Sequence, residues 1–317
     1  MSKILITGGT GFLGKRLGAR LIESGNDVVL TGRNNKQNFS ATNFSGVPSL
    51  PMDVSQIESV RDIFTEVKPE IVIHAAATKF VDLSEKQPME TIDVNVVGSQ
   101  NVARVAIDKK VNLVLGISTD KASPPVRNTY GLTKALMERM FCAMDGKSNT
   151  KFMCVRYGNV AWSTGSVLCI WRKMLREKGV IGTTGPEMYR FFFTVDEAVE
   201  LVLTALENFE QFHGMVLSRK MKAAQMKDFL RVWTQNEGGT FEEIQGRPGE
   251  RNEEYLFGEL ELPYTEKIVL HGIDHYLISF NKKASNPVKE ILSSSNTEML
   301  LDNEILEIIQ NPPFEEI

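Results

Sequence analysis

The sequence predicts an α/β protein: a doubly wound parallel sheet with helices on both faces and a smaller C-terminal lobe. Three observations predict it. A short apolar run, Lys3-Ile4-Leu5-Ile6-Thr7, passes into a glycine-rich turn and then into apolar residues at helical spacing. Further apolar runs alternate with helical stretches as far as residue 156. Beyond about residue 160 the alternation gives way to loops, small polar residues and glycine breaks. Strands alternating with helices specify a parallel sheet, and ligands bind beyond the carboxyl ends of its strands.

The first strand, residues 3–7, runs into Gly8-Gly9-Thr10-Gly11-Phe12-Leu13-Gly14, after which Leu17, Leu21 and Ile22 recur at helical spacing. Glycines at 8, 11 and 14 meet three needs of a Rossmann-type site. These are a tight turn, backbone close to a pyrophosphate, and a helix packed against its strand. The helix N-terminus adds free N–H groups and the positive end of its dipole. Gly8, Thr10, Gly11, Phe12, Leu13 and Gly14 are therefore candidate cofactor residues.

The second strand, residues 27–31, ends in Gly32-Arg33-Asn34 with no acid. An NAD site places a carboxylate there for the ribose 2′-hydroxyl, whereas an arginine fork suits a 2′-phosphate. Arg33 thus points to NADP rather than NAD. After the third strand, residues 49–52, Asp53 suits the adenine amino group with Val54 beside it. Asp53 and Ser55 also read as caps for a helix at 56–67. The fourth strand, 70–74, ends at His74, read as a satisfied core residue, and leads into Ala75-Ala76-Ala77-Thr78-Lys79. A helix at 88–109, a strand at 112–117, a helix at 129–143 and a strand at 151–156 complete the pattern. Gly8, His74, Ser118 and Arg156 all fall at or beside strand ends, so the candidates converge on one crevice.

A helix at 194–206 and a last strand at 214–218 return to the main sheet. The expected division is residues 1–160 plus 191–219 for the dinucleotide-binding domain and 161–190 plus 220–317 for the lobe. Hydrophobic residues make up 42% and charged ones 24% of the 317, as in a soluble globular protein. A net charge of −4 favours neither nucleic acid nor a membrane surface. Cys142, Cys154 and Cys169 show no metal-ligand spacing and read as reduced residues of a cytoplasmic protein. The first strand begins at once, so no signal peptide is expected, and no apolar run approaches the ~20 residues of a membrane span.

Tyr130-Gly131-Leu132-Thr133-Lys134 puts a phenol and an ammonium on one helix face. A nearby cation favours phenolate, giving a base for an alcohol or sugar hydroxyl. Thr119 is placed to hydrogen-bond the same oxygen. Asp120 and Lys121 add a second acid/base pair that a simple alcohol dehydrogenase does not need.

These residues resemble an extended short-chain dehydrogenase/reductase, and more narrowly the inverting UDP-N-acetylglucosamine 4,6-dehydratases of polysaccharide biosynthesis. The resemblance rests on the glycine loop, His74 to Lys79, Ser118-Thr119-Asp120-Lys121-Ala122 and the Tyr130/Lys134 pair. It continues through Arg156-Tyr157-Gly158-Asn159, Gly165-Ser166-Val167, Met188-Tyr189-Arg190-Phe191 and Gly246-Arg247-Pro248-Gly249-Glu250. It implies that Tyr130 deprotonates a sugar 4-hydroxyl as C4 gives hydride to the nicotinamide, that Lys121 removes the C5 proton, and that Asp120 protonates the departing 6-hydroxyl. Hydride then returns to C6, so the cofactor is recycled and stays bound.

The resemblance also places Ala75, Ala76, Ala77 and Asn95 by the cofactor, with Asn95 bracing the strand-end loop. It places Lys79, Asn159, Ser166, Val167, Arg190, Arg247 and Glu250 by a nucleotide-sugar substrate, and implies a homo-oligomer. The chain departs from the family at a longer Pro124-Pro125-Val126-Arg127-Asn128 loop and at Trp162-Ser163-Thr164-Gly165-Ser166, where a Gly-Ser-Arg-Gly-Ser run is usual, so an arginine is missing and a tryptophan has arrived. It departs again at Arg251-Asn252-Glu253-Glu254, which stands for Lys-Leu-His-Glu. These positions are expected to face nucleotide and sugar. A 4-epimerase or 4-reductase would need Tyr130 and Lys134 alone, and a redox-silent regulator neither pair.

Overall fold

The computed structural model describes residues 1–246 and 249–313. Arg247 lies outside the described residues. The first half runs β1 (Lys3–Thr7), α1 (Phe12–Glu23), β2 (Asp27–Gly32), α2 (Asn35–Ser45), β3 (Ser49–Pro51), α3 (Ile57–Val67), β4 (Ile71–His74), α4 (Val81–Lys86), α5 (Pro88–Ile92), α6 (Gly98–Asp108), β5 (Leu113–Ile117), α7 (Thr129–Met144) and β6 (Lys151–Arg156). The second half runs β7 (Asn159–Val160), α8 (Val167–Lys178), β8 (Val180–Thr183), β9 (Tyr189–Phe193), α9 (Val195–Glu207), α10 (Phe209–Phe212), β10 (Val216–Arg219), β11 (Lys222–Gln225), α11 (Met226–Glu237), β12 (Thr240–Glu243), β13 (Tyr255–Phe257), β14 (Thr265–Leu270), β15 (Ile273–Ile278), β16 (Leu292–Ser293) and α12 (Asp302–Gln310).

Nine strands form the central sheet in the order β3-β2-β1-β4-β5-β6-β10-β15-β14. From β3 to β10 every pairing is parallel, and the β14/β15 hairpin closes the far edge antiparallel. Strands covered on both faces must be apolar throughout, and β5 and the inner residues of β1, β4 and β6 are buried. Strand order reverses between β1 and β4, which opens a crevice at their carboxyl ends. Among the described residues no helix is long and apolar enough to cross a membrane.

The sequence reading places residues 265–278 in the lobe; the structure instead pairs β15 with β10 on the central sheet. A second apolar cluster does form beside the sheet, where Trp162, Trp171 and Trp233 meet Phe229, Ile305 and Ile309 from α8, α11 and α12. Helix α2, absent from the expectations, starts where the Asn34 side chain accepts from the Lys36 and Gln37 N–H groups. The single helix expected at 88–109 is interrupted by a π-helical turn at Asp93–Val97, which carries Asn95. Such a turn shifts the register of a helix and is frequent at functional sites.

Candidate active site

The glycine loop has the geometry that its spacing implies. Gly8 takes φ +64°, and a Cβ there would lie 2.6 Å from the Ala76 Cα and 2.9 Å from the Ala75 carbonyl carbon. A Cβ on Gly14 would lie 2.5 Å from the Gly9 Cα, so α1 can approach its strand only without side chains at this contact. Gly11 is the N-terminal cap of α1, which leaves the first N–H groups of the helix open to an anion. The Phe12 ring does not face this opening: it is buried in the second apolar cluster, with the Arg16 guanidinium 4.1 Å above it. Only its backbone remains for a phosphate. Leu13 packs against the main core, and Thr10 lies against Gly32 at the end of β2.

Around the rim, Arg33 is half exposed and lies 3.9 Å from Glu90. Asp53 accepts from the Ser55 N–H at 2.9 Å and the Ser55 hydroxyl at 2.8 Å, closing a turn ahead of α3; neither residue caps the helix as expected, because its N-cap is Gln56 and carries no side-chain bond. Val54 is buried against Gly98. Asn95 is a brace: its oxygen accepts from Thr78 N–H at 2.8 Å, and its amide donates to the Thr78 carbonyl and to Thr133 Oγ1, each at 3.0 Å. It thereby ties the Ala75-Ala76-Ala77-Thr78 loop to α7. His74 is also satisfied, with Nδ1 2.7 Å from Thr7 Oγ1 and Nε2 2.9 Å from Ser99 Oγ. Burial, helped by the Lys134 charge, lowers its pKa to about 3.

Tyr130 sits in the first turn of α7, which Asn128 caps by accepting from the Gly131 N–H at 2.8 Å. Lys134 lies one turn on and is buried, with Nζ 3.1 Å from Met137 Sδ. Burial lowers the Lys134 pKa to about 8, against the opposing pull of Cys154 and Glu138. The expectation that Lys134 makes Tyr130 acidic is not met. Burial and the Asp120 charge hold the phenol well above its ordinary range, and the hydrogen bond with Thr119 is what opposes them. The Lys134 ammonium donates along the helix to Met137, and its charge is not among the causes that act on the phenol.

Thr119, Asp120 and Lys121 follow β5 on a short 3-10 turn, Asp120–Ala122. Asp120 is fully buried. Its Oδ1 accepts from Thr119 Oγ1 at 2.9 Å and from Lys121 Nζ at 3.0 Å, while Oδ2 has no hydrogen-bond partner. Lys121 Nζ also donates to Asn159 Oδ1 at 3.2 Å and lies 3.9 Å from Glu254 Oε1. Its charged neighbours are thus two carboxylates. Glu254 is 2% exposed; the sequence places it only within a segment expected to face nucleotide and sugar, with no role of its own. The signal was present: a glutamate ends both Arg251-Asn252-Glu253-Glu254 and the usual Lys-Leu-His-Glu.

The remaining candidates divide. Arg190 is anchored to backbone, donating to the Tyr189 carbonyl at 2.7 Å and the Asn252 carbonyl at 3.3 Å, and its charge acts on Glu254. Ser166 caps α8, which begins at Val167. Glu250 accepts from Thr184 Oγ1 at 3.0 Å, and Lys79 is exposed with its ammonium 5.5 Å from the Phe80 ring. Trp162, expected to face the nucleotide, turns away: at φ +60° its indole enters the second cluster and donates to the Ile308 carbonyl at 2.6 Å. Arg156 is likewise withdrawn from the crevice, held between Glu138 and Glu261. A separate cavity of about 1010 Å³ lies between α1, the start of α9 and α12; neither Tyr130 nor Lys121 lines it.

This geometry can be set beside known proteins. The profile of a family described as "Polysaccharide biosynthesis protein" matches residues 4–270. The chain belongs to this family. It is thereby an extended short-chain dehydrogenase/reductase of the nucleotide-sugar dehydratase and epimerase superfamily. The inverting UDP-N-acetylglucosamine 4,6-dehydratase of Campylobacter jejuni is 34% identical over 67% of this chain and 64% of its own. A UDP-glucose 4-epimerase of Rickettsia bellii is 32% identical over 97% of this chain and 95% of its own. The solved structure of Pen from Bacillus thuringiensis superposes with a TM-score of 0.88 at 28% identity, covering 98% of this chain and 97% of that one.

Proposed function

We infer that the protein is a nucleotide-sugar 4,6-dehydratase that takes UDP-N-acetylglucosamine to a 6-deoxy-4-keto sugar nucleotide with inversion at C5, using a tightly held NADP. One observation carries this reading. Asp120 and Lys121 lie beside Tyr130 and Thr119, with a carboxylate oxygen of Asp120 buried and unpartnered. Buried polar atoms are paired as a rule, and an exception points to an absent ligand or to chemistry. A 4-epimerase has no use for that acid or for the lysine next to it.

The crevice fits a dinucleotide: the Gly8–Ala76 approach leaves bare backbone, the start of α1 offers N–H groups, and Ser118 Oγ is buried without a partner. When bound, the oxidised dinucleotide supplies the oxidant at C4, the reductant at C6 and a positive charge beside the phenol. Tyr130 takes the 4-hydroxyl proton, with Thr119 steadying the phenolate. Lys121, as neutral amine, takes the C5 proton made acidic by the 4-ketone. Asp120, holding a proton, gives it to the leaving 6-hydroxyl through Oδ2. Asn159 accepts a hydrogen bond from the Lys121 ammonium, and Arg190, Ser166 and Val167 are proposed for the diphosphate. For the 2′-phosphate, Arg33 stands at the end of β2 where no carboxylate competes. Homo-oligomer formation has support in Leu132 and Leu136, both more than half exposed on α7.

The test is incubation with UDP-N-acetylglucosamine in deuterated water, followed by NMR. A 6-deoxy-4-keto product labelled at C5 is expected, and a 4-epimer without solvent label would replace this reading by epimerase. Lys121→Ala should still build up reduced cofactor through Tyr130 yet exchange no deuterium into C5. Undiminished exchange in the folded variant would remove Lys121 as the base.

A further inference from the structure

Lys121 begins the proposed cycle as a neutral amine and ends the proton abstraction as an ammonium. The electron pair of the C5–H bond passes into the enolate formed from the 4-ketone, and the proton passes to Lys121 Nζ. At that moment Asp120 still holds the proton destined for the 6-hydroxyl and carries no charge. The one other carboxylate facing Lys121 among the described residues is Glu254, 3.9 Å away and nine-tenths or more buried.

Glu254 is firmly placed. Its N–H donates to Ser294 Oγ at 3.0 Å, its carbonyl accepts from the Ser294 N–H at 2.8 Å, and Ser294 Oγ donates to the Tyr189 carbonyl at 3.0 Å. This fixes the residue on the lobe side of the crevice, opposite the β5 loop that carries Lys121. Its other oxygen, Oε2, is buried with no hydrogen-bond partner; the Arg251 guanidinium approaches only to 3.4 Å.

We propose that Glu254 is a positioning residue for the dehydration step, the fixed counter-ion that stabilises the positive charge developing on Lys121 while Asp120 is still protonated. The proposal rests on the dehydratase reading above. Glu254 stays ionised throughout, and no proton moves to it. Its effect falls on the transition state more than on bound substrate, because the lysine gains its charge only there. The charged groups facing Glu254 are Lys121 and Asp120 from the β5 loop, Arg190 from β9 and Arg251 from its own segment. Burial raises its pKa, the Asp120 charge adds to this, and the three cations oppose it.

The experiment follows C5 deuterium exchange, reduced-cofactor formation and thermal unfolding in the wild-type, Glu254→Gln and Glu254→Asp proteins across pH. In folded Glu254→Gln the exchange plateau should fall roughly 10- to 100-fold, while C4 oxidation through Tyr130 and the KM stay unchanged. Its acid limb should move to lower pH, because a cluster with one carboxylate fewer holds its protons less firmly. Glu254→Asp, which keeps the charge, should keep the limb where the wild type has it. Exchange within twofold of wild type in folded Glu254→Gln overturns the proposal. So does a loss in which C4 oxidation, exchange and folded fraction fall together. If the wild-type protein yields an unlabelled 4-epimer instead, the dehydratase reading fails and this inference with it, which no result on a dehydrating wild type can mimic.

Discussion

Arg156 and Lys121 are both cations held among carboxylates at the carboxyl ends of neighbouring strands, yet their surroundings differ in one respect. Arg156 is fully buried, and each of its five N–H groups can be assigned an acceptor. Nε and Nη2 reach Glu138 at 2.9 and 2.6 Å, Nη1 and Nη2 reach Glu261 at 2.8 and 2.9 Å, and Nη1 reaches the Leu256 carbonyl at 2.9 Å. Around Lys121 the opposite holds: Asp120 Oδ2, Glu254 Oε2 and Arg251 Nη1 are all buried without hydrogen bonds. Saturation holds elements together, and Arg156 joins β6, α7 and the 3-10 turn Glu259–Tyr264. Incomplete pairing leaves atoms free to meet a substrate. The first cluster is thus read as structure and the second as chemistry.

Arg156→Met should break the comparison at its strongest point. It strands Glu138 and Glu261 as unpaired buried carboxylates, which costs roughly 3–5 kcal/mol when one partner of a buried pair is removed. Urea unfolding would show it as a lower midpoint with unchanged slope. A loss under about 1 kcal/mol would mean that the saturated cluster is not holding these elements.

Acid tests another saturated site. His74 is neutral when folded, with a pKa of about 3 against 6.5 for an exposed imidazole. Between those values the unfolded chain binds a proton that the folded one refuses, so this contribution to stability is intact above pH 6.5 and is lost as pH falls. By pH 4.5 the loss should reach about 3 kcal/mol. Unfolding measured from pH 7 to 4.5 should show a slope that is absent in His74→Asn.

Arg33 belongs with neither cluster. Its half-exposed pairing with Glu90 at 3.9 Å contributes little to folding. Arg33→Ala should leave stability unchanged and weaken NADP by on the order of 2 kcal/mol, with NAD hardly affected. Equal losses for both, read by fluorescence titration, would show that Arg33 does not recognise the phosphate.

What the sequence made legible, and what it hid, follows from the range of the interactions. The glycine loop is readable because its demands are local: Gly8 and Gly14 are dictated by contacts within one strand–turn–helix unit and the adjacent Ala75-Ala76 loop. Asp120 and Lys121 are readable because they are contiguous and precede Tyr130 in the same crossover. Glu254 is not, because only the folded C-terminal segment brings it to Lys121 across more than a hundred residues. Arg156 stands at a strand end, as a ligand-binding arginine would, and its role depends on Glu261 far downstream. Trp162 was hidden by backbone, since its positive φ swings the indole away from the crevice. The β14/β15 hairpin escaped notice because its turn is His271-Gly272, both at positive φ, without the Asn-Gly or Asp-Gly signature of such turns.

The finest test separates the two readings of Asp120. As a loop salt bridge, Asp120 would stabilise the fold through Lys121, and Asp120→Asn would cost stability as breaking any buried pair does. As a proton donor with a buried, unpartnered Oδ2, it already carries a desolvation cost that a neutral amide of the same shape avoids. The lost attraction to Lys121 and the relieved desolvation should nearly cancel. Asp120→Asn is expected to hold its stability within about 1 kcal/mol, with any change toward greater stability, as at sites where function and stability are opposed. Its dehydration should fall by roughly 10²–10⁴ while C4 oxidation persists. A stability loss above about 2 kcal/mol with dehydration retained per folded molecule would move Asp120 into the class of Arg156, and the contrast between saturated and unsaturated clusters would no longer mark out the chemistry.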